Sequence, residues 1–282
     1  MSQTITPELR TWIISQAEAG FSADTVLQSM KASGWREDVA IAALETTLTA
    51  HIQKTQPETL LSMPLTVPVL AIENSPLYLQ LEDRRVSILS NMSDPNIVVI
   101  GDFLSDEECD GLIEGAKSRM ARSLTVEVES GGEEMNADRT SNGMFYARAE
   151  NELIARIERR LAQLTRWPVE NGEGLQILHY QSGAEYKPHY DYFDPDEPGT
   201  PTILKRGGQR VATIIMYLHE PEAGGGTVFP DVKLTVAPKK GNAVFFSYDR
   251  PHPSSKSLHG GMPVMEGQKW IATKWLREGK FA

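Results

Sequence analysis

Hydrophobic and polar positions follow a helical period near the N-terminus of the chain and a mixed helix and strand pattern further along it. Up to about residue 53, apolar residues recur at helical spacing, with breaks at Gly20–Phe21 and Gly34–Trp35. Ser22, just before the second helical run, is a candidate N-cap, and glycine commonly follows a helix end. Residues 1–53 are therefore predicted to form three short helices.

This three-helix pattern is similar to the small ubiquitin-associated fold, which would make it a peptide-binding module. It is equally compatible with a helical cap packed on the main domain, and the pattern leaves both alternatives open. Residues 54–90 follow, with prolines at positions 57, 64, 68 and 76. Proline-rich segments of this kind are stiff and extended, so a linker is predicted here.

Residues 91–282 change to a mixed pattern that predicts an α+β domain. "NIVVIGDF" reads as a strand, and "SDEECDGLIEGAKSRM" and "ENELIARIERRLAQLT" read as amphipathic helices. After Gly174 the chain alternates short apolar runs with turns rich in glycine and proline. Many short strands at this spacing predict a double-stranded β-helix, or jelly-roll, core with supporting helices.

Composition narrows the class of protein. The chain has 282 residues, of which 40% are hydrophobic and 23% charged, which is typical of a globular protein. Its net charge of −10 argues against nucleic acid as a main partner. We expect no signal peptide and no membrane span, because the most apolar stretch, "LLSMPLTVPVLAI", is short and interrupted by prolines. The single cysteine, Cys109, cannot form an internal disulfide, so it is predicted to be a bystander thiol in a cytoplasmic protein.

A candidate metal site lies in the strand-rich region. His189 and Asp191 in "PHYDYF" are two positions apart, so in a strand they would point to the same face. His259 in "SLHGG" can supply a third ligand from a distant strand. Two histidines and one carboxylate form the facial triad of non-haem Fe(II) oxygenases, although the His-x-Asp pair alone is a weak signal.

Lys269 strengthens this hypothesis. An Fe(II) oxygenase that uses 2-oxoglutarate must neutralise the far carboxylate of this co-substrate, and a buried lysine can do so. Lys269 shares a strand face with Ile271 and Thr273. The alternative is a solvated edge-strand lysine, as we expect for Lys274, and spacing alone does not separate the two.

The region from about Asn96 to Arg277 resembles the prolyl 4-hydroxylase family of Fe(II)/2-oxoglutarate dioxygenases, especially its bacterial, algal and plant members. The segments that carry the resemblance occur in family order: "RTSNGMF", "VENGEGLQILHYQSGAEYKPHYDYF", "GGQRVATIIMYL", "GGGTVFP", "GNAVFFS" and "LHGGMPVMEGQKWIATKW".

The resemblance implies a set of roles. His189, Asp191 and His259 would bind Fe(II), Lys269 would pair with 2-oxoglutarate, and Tyr180 and Thr227 would add hydrogen bonds to it. O₂ would be the oxidant, and ascorbate an accessory reductant. Four further residues match family positions near the substrate groove: Arg139, Glu173, Arg210 and Trp275. Each of them could instead have a purely structural role.

The expected activity is 4-hydroxylation of proline in a peptide or protein. The same chemistry on another residue, a free amino acid or a small molecule is the first alternative. A binding protein that acts through its N-terminal helices, and a barrel in which the metal is structural, are the others. Arg277 departs from relatives that carry histidine there, and the long segment from Tyr192 to Thr200 is predicted to be a lid over the substrate.

Overall fold

The computed structural model describes residues 5–55, 65–122, 125–126, 133–134 and 140–282. It divides the chain into two compact units, Met1–Met63 and Pro64–Ala282. None of the helices in these described ranges is long and apolar enough to cross a membrane.

In residues 5–55, the described part of the first unit, the chain forms three helices: α1 (Pro7–Glu18), α2 (Ala23–Ala32) and α3 (Glu37–Thr55). Ser22 caps α2, because its side chain accepts a hydrogen bond from the backbone N–H of Thr25. Gly20 and Gly34 adopt positive φ angles of 83° and 87° directly after α1 and α2, a conformation that costs glycine little. The unit has its own apolar core: Ile13, Val26, Met30, Ala40, Ala43 and Leu44.

The helices of the second unit are α4 (Asp106–Lys117), α5 (Glu152–Thr165) and the short α6 (Thr200–Leu204). Ser105 and Glu108 form a reciprocal capping box at the start of α4. Asn151 caps α5 by accepting from the N–H of Ile154. Polar residues that satisfy the first helical N–H groups therefore set where both long helices begin.

Within the described residues the second unit also contains seventeen strands. Nine of them form one large sheet in the order β1-β2-β3-β14-β10-β17-β8-β7-β4, and four form a small sheet in the order β13-β12-β15-β9. The large sheet contains β1 (Tyr78–Gln80), β2 (Arg85–Ser93), β3 (Asn96–Gly101), β4 (Ala121–Arg122), β7 (Asn142–Tyr146), β8 (Leu175–Tyr180), β10 (Arg210–His219), β14 (Ala243–Ser247) and β17 (Lys269–Arg277).

The small sheet contains β9 (Tyr186–His189), β12 (Thr227–Phe229), β13 (Leu234–Val236) and β15 (His259–Gly261). Two separate strand pairs are β5 (Thr125–Val126) with β6 (Glu133–Glu134), and β11 (Ala223–Gly224) with β16 (Val264–Glu266). This architecture of two sheets with supporting helices confirms the predicted α+β class with a jelly-roll core.

Each face of the large sheet has its own core, as β10 illustrates. Ala212, Ile214 and Met216 belong to the core that includes residues of α4 and α5. Ile215 and Tyr217 belong to the core shared with the small sheet. Because side chains alternate along a strand, one strand supports both layers.

Part of the predicted linker of residues 54–90 belongs to the second unit. Residues 65–90 belong to the second unit, where Leu70 and Leu81 are buried in the core. The N–H of Leu65 donates to the carbonyl of Asp249, and β1 lies inside this segment. Residues 65–90 are therefore packed on the second unit and are not a free linker.

Lys274 corrects a second expectation. It is 2% exposed in β17, a strand that lies between β10 and β8 and is not an edge. Its ammonium group donates to the carboxylate of Glu158 in α5, which is also 2% exposed. Lys274 is therefore a buried partner of a helix and not a solvated lysine.

Lys274→Ala should strongly destabilise the protein, since it leaves the carboxylate of Glu158 buried without its counter-ion. Breaking such a pair costs about 3–5 kcal/mol of unfolding free energy. Urea unfolding of the variant measures this cost. Lys280→Ala, which removes an exposed lysine, is the matched control and should unfold like the wild type. Equal stability of the two variants would show that the ion pair contributes nothing.

Candidate active site

Two strands of the small sheet bring the predicted metal ligands together. In the antiparallel pair of β9 and β15, His189 lies directly opposite His259. Asp191 follows two residues after the end of β9. Its Oδ1 lies 3.6 Å from Nε2 of His189, and its Oδ2 lies 3.4 Å from Nε2 of His259. The three residues form a group whose ligand atoms all lie within 4.8 Å of one another.

Both imidazoles are oriented through their second ring nitrogen. Nδ1 of His189 lies 2.8 Å from the carbonyl of Lys187, and Nδ1 of His259 lies 3.0 Å from that of Ser257. A carbonyl only accepts, so each Nδ1 carries the proton and each Nε2 keeps its lone pair. Burial lowers the pKa of His259 to about 4, which keeps that ring neutral at pH 7.

The donor set fits a divalent iron. Burial opposes ionisation of Asp191, but the positive charge around it, which includes the guanidinium of Arg210, keeps its pKa well below the usual range. Two imidazole nitrogens and one carboxylate oxygen therefore lie close enough together to bind one metal ion. Fe(II) in non-haem oxygenases takes this ligand set and keeps further positions open.

A pocket lies beside these ligands and is lined by residues of both sheets. Its apolar wall includes Leu178, Ile215 and Ile271 from the large sheet. The remaining lining residues are Tyr180, Tyr186, His189, Asp191, Thr227, His259, Gly260, Gly261, Lys269, Thr273 and Trp275. Four of the predicted site residues thus line the same pocket as the triad: Tyr180, Thr227, Lys269 and Trp275.

Lys269 carries a charge that nothing around it balances. It is 2% exposed, and its Nζ donates to the carbonyl of Gly225 at 2.8 Å. No carboxylate among the described residues forms an ion pair with it. Burial lowers the pKa of this lysine to about 8. An anion that enters the pocket would complete the pair, and the distal carboxylate of 2-oxoglutarate is such an anion.

Two hydroxyls lie near this lysine. Tyr180 is its register partner across β8 and β17, and the Tyr180 ring centroid is 4.5 Å from Nζ. Thr227 accepts a hydrogen bond of 2.8 Å from the hydroxyl of Tyr217. Because its oxygen accepts there, the proton of the Thr227 hydroxyl is available to a ligand in the pocket.

The predicted groove residues do not all line the pocket. Glu173 and Arg210 form a two-bond ion pair of 2.7 and 3.0 Å, and the guanidinium of Arg210 lies 4.1 Å from the ring centroid of Trp275. Of these three residues, only Trp275 lines the pocket. The ion pair of Glu173 and Arg210 therefore packs against Trp275 and does not face the pocket itself. Arg139 lies outside the described residues.

The chain matches a family model described as the 2OG-Fe(II) oxygenase superfamily over residues 175–277. Prolyl 4-hydroxylase 5 of Arabidopsis thaliana is 43% identical over 220 residues, which are 71% of this chain and 73% of that relative. The chain belongs to the prolyl 4-hydroxylase family of Fe(II)/2-oxoglutarate dioxygenases.

Two further relatives agree with this assignment. Probable prolyl 4-hydroxylase 3 of the same plant is 42% identical over 209 residues, covering 67% of this chain and 71% of the relative. The structure is also similar to a viral collagen prolyl hydroxylase from Paramecium bursaria Chlorella virus-1, solved as its 2-oxoglutarate complex. The TM-score is 0.50 and the identity 32%, over 64% of this chain and 95% of the viral protein.

Membership in the prolyl 4-hydroxylase family establishes the class of chemistry. The protein is a dioxygenase that uses Fe(II), 2-oxoglutarate and O₂. This confirms the predicted cofactors and favours an enzyme over the alternatives of an inert binding barrel or a structural metal site.

Tyr186 is a pocket residue that the sequence did not reveal. Its ring stacks on that of His189, with centroids 3.7 Å apart. The two residues are three positions apart, so strict alternation would place them on opposite faces. However, the ladder between β9 and β15 contains a register shift, which changes the facing of the side chains.

The segment between Asp191 and β10 is anchored at several points. The side-chain amide of Gln209 bonds to both the N–H and the carbonyl of Phe193. Arg277 donates to the carbonyls of Ile203 and Arg206. Residues 194–198 form an exposed or partly exposed tip, and residues 201, 202, 205 and 206 are exposed as well. The predicted loop is therefore present, and a lid movement stays a prediction for this exposed tip.

Lys269→Ala should weaken 2-oxoglutarate binding more than a hundredfold, because the removal of one partner of a buried ion pair costs about 3–5 kcal/mol of free energy. In the wild type, the 2-oxoglutarate Kd should rise with pH above about 8, since the free lysine loses its proton there. Calorimetric titration of the metal-loaded protein across pH 7 to 9.5 measures both effects.

Two controls separate charge from position. Lys233→Ala removes an exposed lysine and should leave the affinity unchanged. The arginine of Lys269→Arg keeps its charge throughout this pH range. The Kd of this variant for 2-oxoglutarate should therefore not rise above pH 8 as that of the wild type does. A wild-type affinity that stays constant up to pH 9.5 would contradict the role of Lys269.

Proposed function

We propose that the protein hydroxylates proline residues of a peptide or protein substrate at the C4 position. The observation that carries the proposal is one pocket that contains the His189–Asp191–His259 group and the buried Lys269, which has no carboxylate partner among the described residues. The relatives that match most of the chain are named prolyl 4-hydroxylases, which supports proline as the target.

Each site residue has a defined task in this proposal. His189, Asp191 and His259 hold the iron. Lys269 neutralises the distal carboxylate of 2-oxoglutarate. The bound iron would supply the oxidising chemistry, in which 2-oxoglutarate, O₂ and a substrate C–H group are converted to succinate, CO₂ and a C–OH group, with one oxygen atom in succinate and the other in the hydroxyl.

The rest of the pocket orients the co-substrate and the substrate. Tyr180 and Thr227 contribute hydroxyls near Lys269, and the apolar wall of the pocket excludes water from the reacting carbon. Trp275 offers a flat apolar surface against which a proline ring can pack. The ion pair of Glu173 and Arg210 holds this indole in place. Ascorbate as accessory reductant and a cytoplasmic location stay predictions.

Purified enzyme should convert a proline-rich peptide to a product heavier by one oxygen atom, with one succinate released per hydroxyl formed. Fragmentation by mass spectrometry should place the oxygen on proline. The same peptide with alanine in place of proline is the matched substrate control, and Asp191→Ala is the enzyme control. Oxygen found on another residue, or turnover only with free amino acids, would reject the proposal and favour the same chemistry on a different substrate.

Two roles are compatible with the first unit: a peptide-binding module and a helical cap. All described site residues lie in the second unit, and the first unit has a core of its own. We therefore expect that removal of residues 1–63 leaves the conversion of 2-oxoglutarate to succinate without substrate unchanged.

Hydroxylation of a full-length protein substrate should fall in the same truncated enzyme if the helices recruit that substrate. Short peptides, which need no recruitment, are the matched comparison. An insoluble truncated protein, or one that no longer binds Fe(II) and 2-oxoglutarate, would make the helices a structural cap.

A further inference from the structure

Strand alternation does not fix the orientation of Asp191, contrary to the expectation from its spacing to His189. Strand β9 ends at His189, and Asp191 lies two residues beyond it. A long bond of 3.4 Å from Arg210 reaches only its backbone carbonyl. The carboxylate is nevertheless buried, with 6% of the residue exposed. Its orientation must therefore come from side chains on other strands.

Thr213 in the middle of β10 provides the direct contact. Its hydroxyl donates to Oδ2 of Asp191 at 2.7 Å, and both groups are buried. An ionised carboxylate only accepts, so the single proton of Thr213 is committed to this bond. The oxygen of Thr213 also lies 3.1 Å from the hydroxyl of Tyr248. Because the threonine proton is already used, Tyr248 must be the donor in this second bond.

The two hydroxyls are held rigidly by the sheet. Thr213 pairs with Phe246 on one side and with Trp275 on the other, and it is completely buried. Its β-branched side chain has few rotamers. Tyr248 follows directly after β14, and its N–H donates to the carbonyl of Val211 at 3.0 Å. A directed chain therefore runs from Tyr248 through Thr213 to Asp191.

We propose that Thr213 and Tyr248 are positioning residues that hold the carboxylate of Asp191 in one orientation for the iron. Oδ2 accepts from Thr213, while Oδ1 faces Nε2 of His189. Held in this way, Asp191 would offer a carboxylate oxygen to the iron in one fixed orientation, together with His189 and His259. This inference rests on the proposed function, in which Asp191 is an iron ligand.

The test is a titration of the full-length protein with Co(II), a divalent probe that air does not oxidise readily. Thr213→Val keeps the shape of the side chain and removes its hydroxyl. It should raise the Co(II) Kd by about 10–100-fold, as is usual for groups that orient metal ligands. Thr213→Ser restores the hydroxyl and should bind Co(II) nearly as tightly as the wild type.

Tyr248→Phe should raise the Kd by about fivefold, the effect of one hydrogen bond. Tyr248 acts only through Thr213, so the double variant should match Thr213→Val within about twofold. Thr165→Val is the structural control, because the Thr165 hydroxyl is buried and bonds within α5. It should change the Tm of the metal-free protein without changing the Co(II) Kd.

Three results would overturn the inference. The first is a Co(II) Kd of Thr213→Val within about twofold of the wild type. The second is an equal loss in Thr213→Ser and Thr213→Val. The third is a double variant whose loss is the product of the two single losses. If the wild type fails to bind Co(II), the proposed metal site itself is wrong. If Asp191→Ala abolishes Co(II) binding while Thr213→Val leaves it unchanged, the metal site stands and only this inference is wrong.

Discussion

The pairing of β9 with β15 is the constraint on which the site depends. Backbone hydrogen bonds of the small sheet place His189 opposite His259, although the two residues are far apart in sequence. A shift of this register by one residue would turn one imidazole to the other face of the sheet. The rigid packing of Phe229 on Phe246, with ring centroids 5.1 Å apart, holds the small sheet against the large one. The site is therefore built by the sheets and not by a flexible loop.

The two buried lysines of β17 show how the same strand serves stability and function. Lys274 faces the helices and has an internal counter-ion in Glu158. Lys269 faces the pocket, and no described carboxylate balances it. A buried charge without a partner lowers stability. The fold tolerates that cost at Lys269 because the co-substrate supplies the missing carboxylate.

Local signals in the sequence predicted much of the fold and most of the site. Ser22 was predicted as the N-cap of α2, and residues such as His189 and Lys269 were predicted for the pocket. The failures share a physical cause. The partner of Lys274 is 116 residues away, and a register shift places Tyr186 on His189. Contacts between distant segments and irregular ladders leave no local pattern, so they could not be predicted.

Catalysis depends on one pocket that binds Fe(II) and 2-oxoglutarate together. Anaerobic titration of the full-length protein with Fe(II) and 2-oxoglutarate, followed by visible absorption, tests this most directly. Chelation of the keto acid to iron gives a metal-to-ligand charge-transfer band. We expect the band to saturate at one Fe(II) and one 2-oxoglutarate per chain, and to be absent in His259→Ala. No band in the wild type, or an equal band in His259→Ala, would contradict the account.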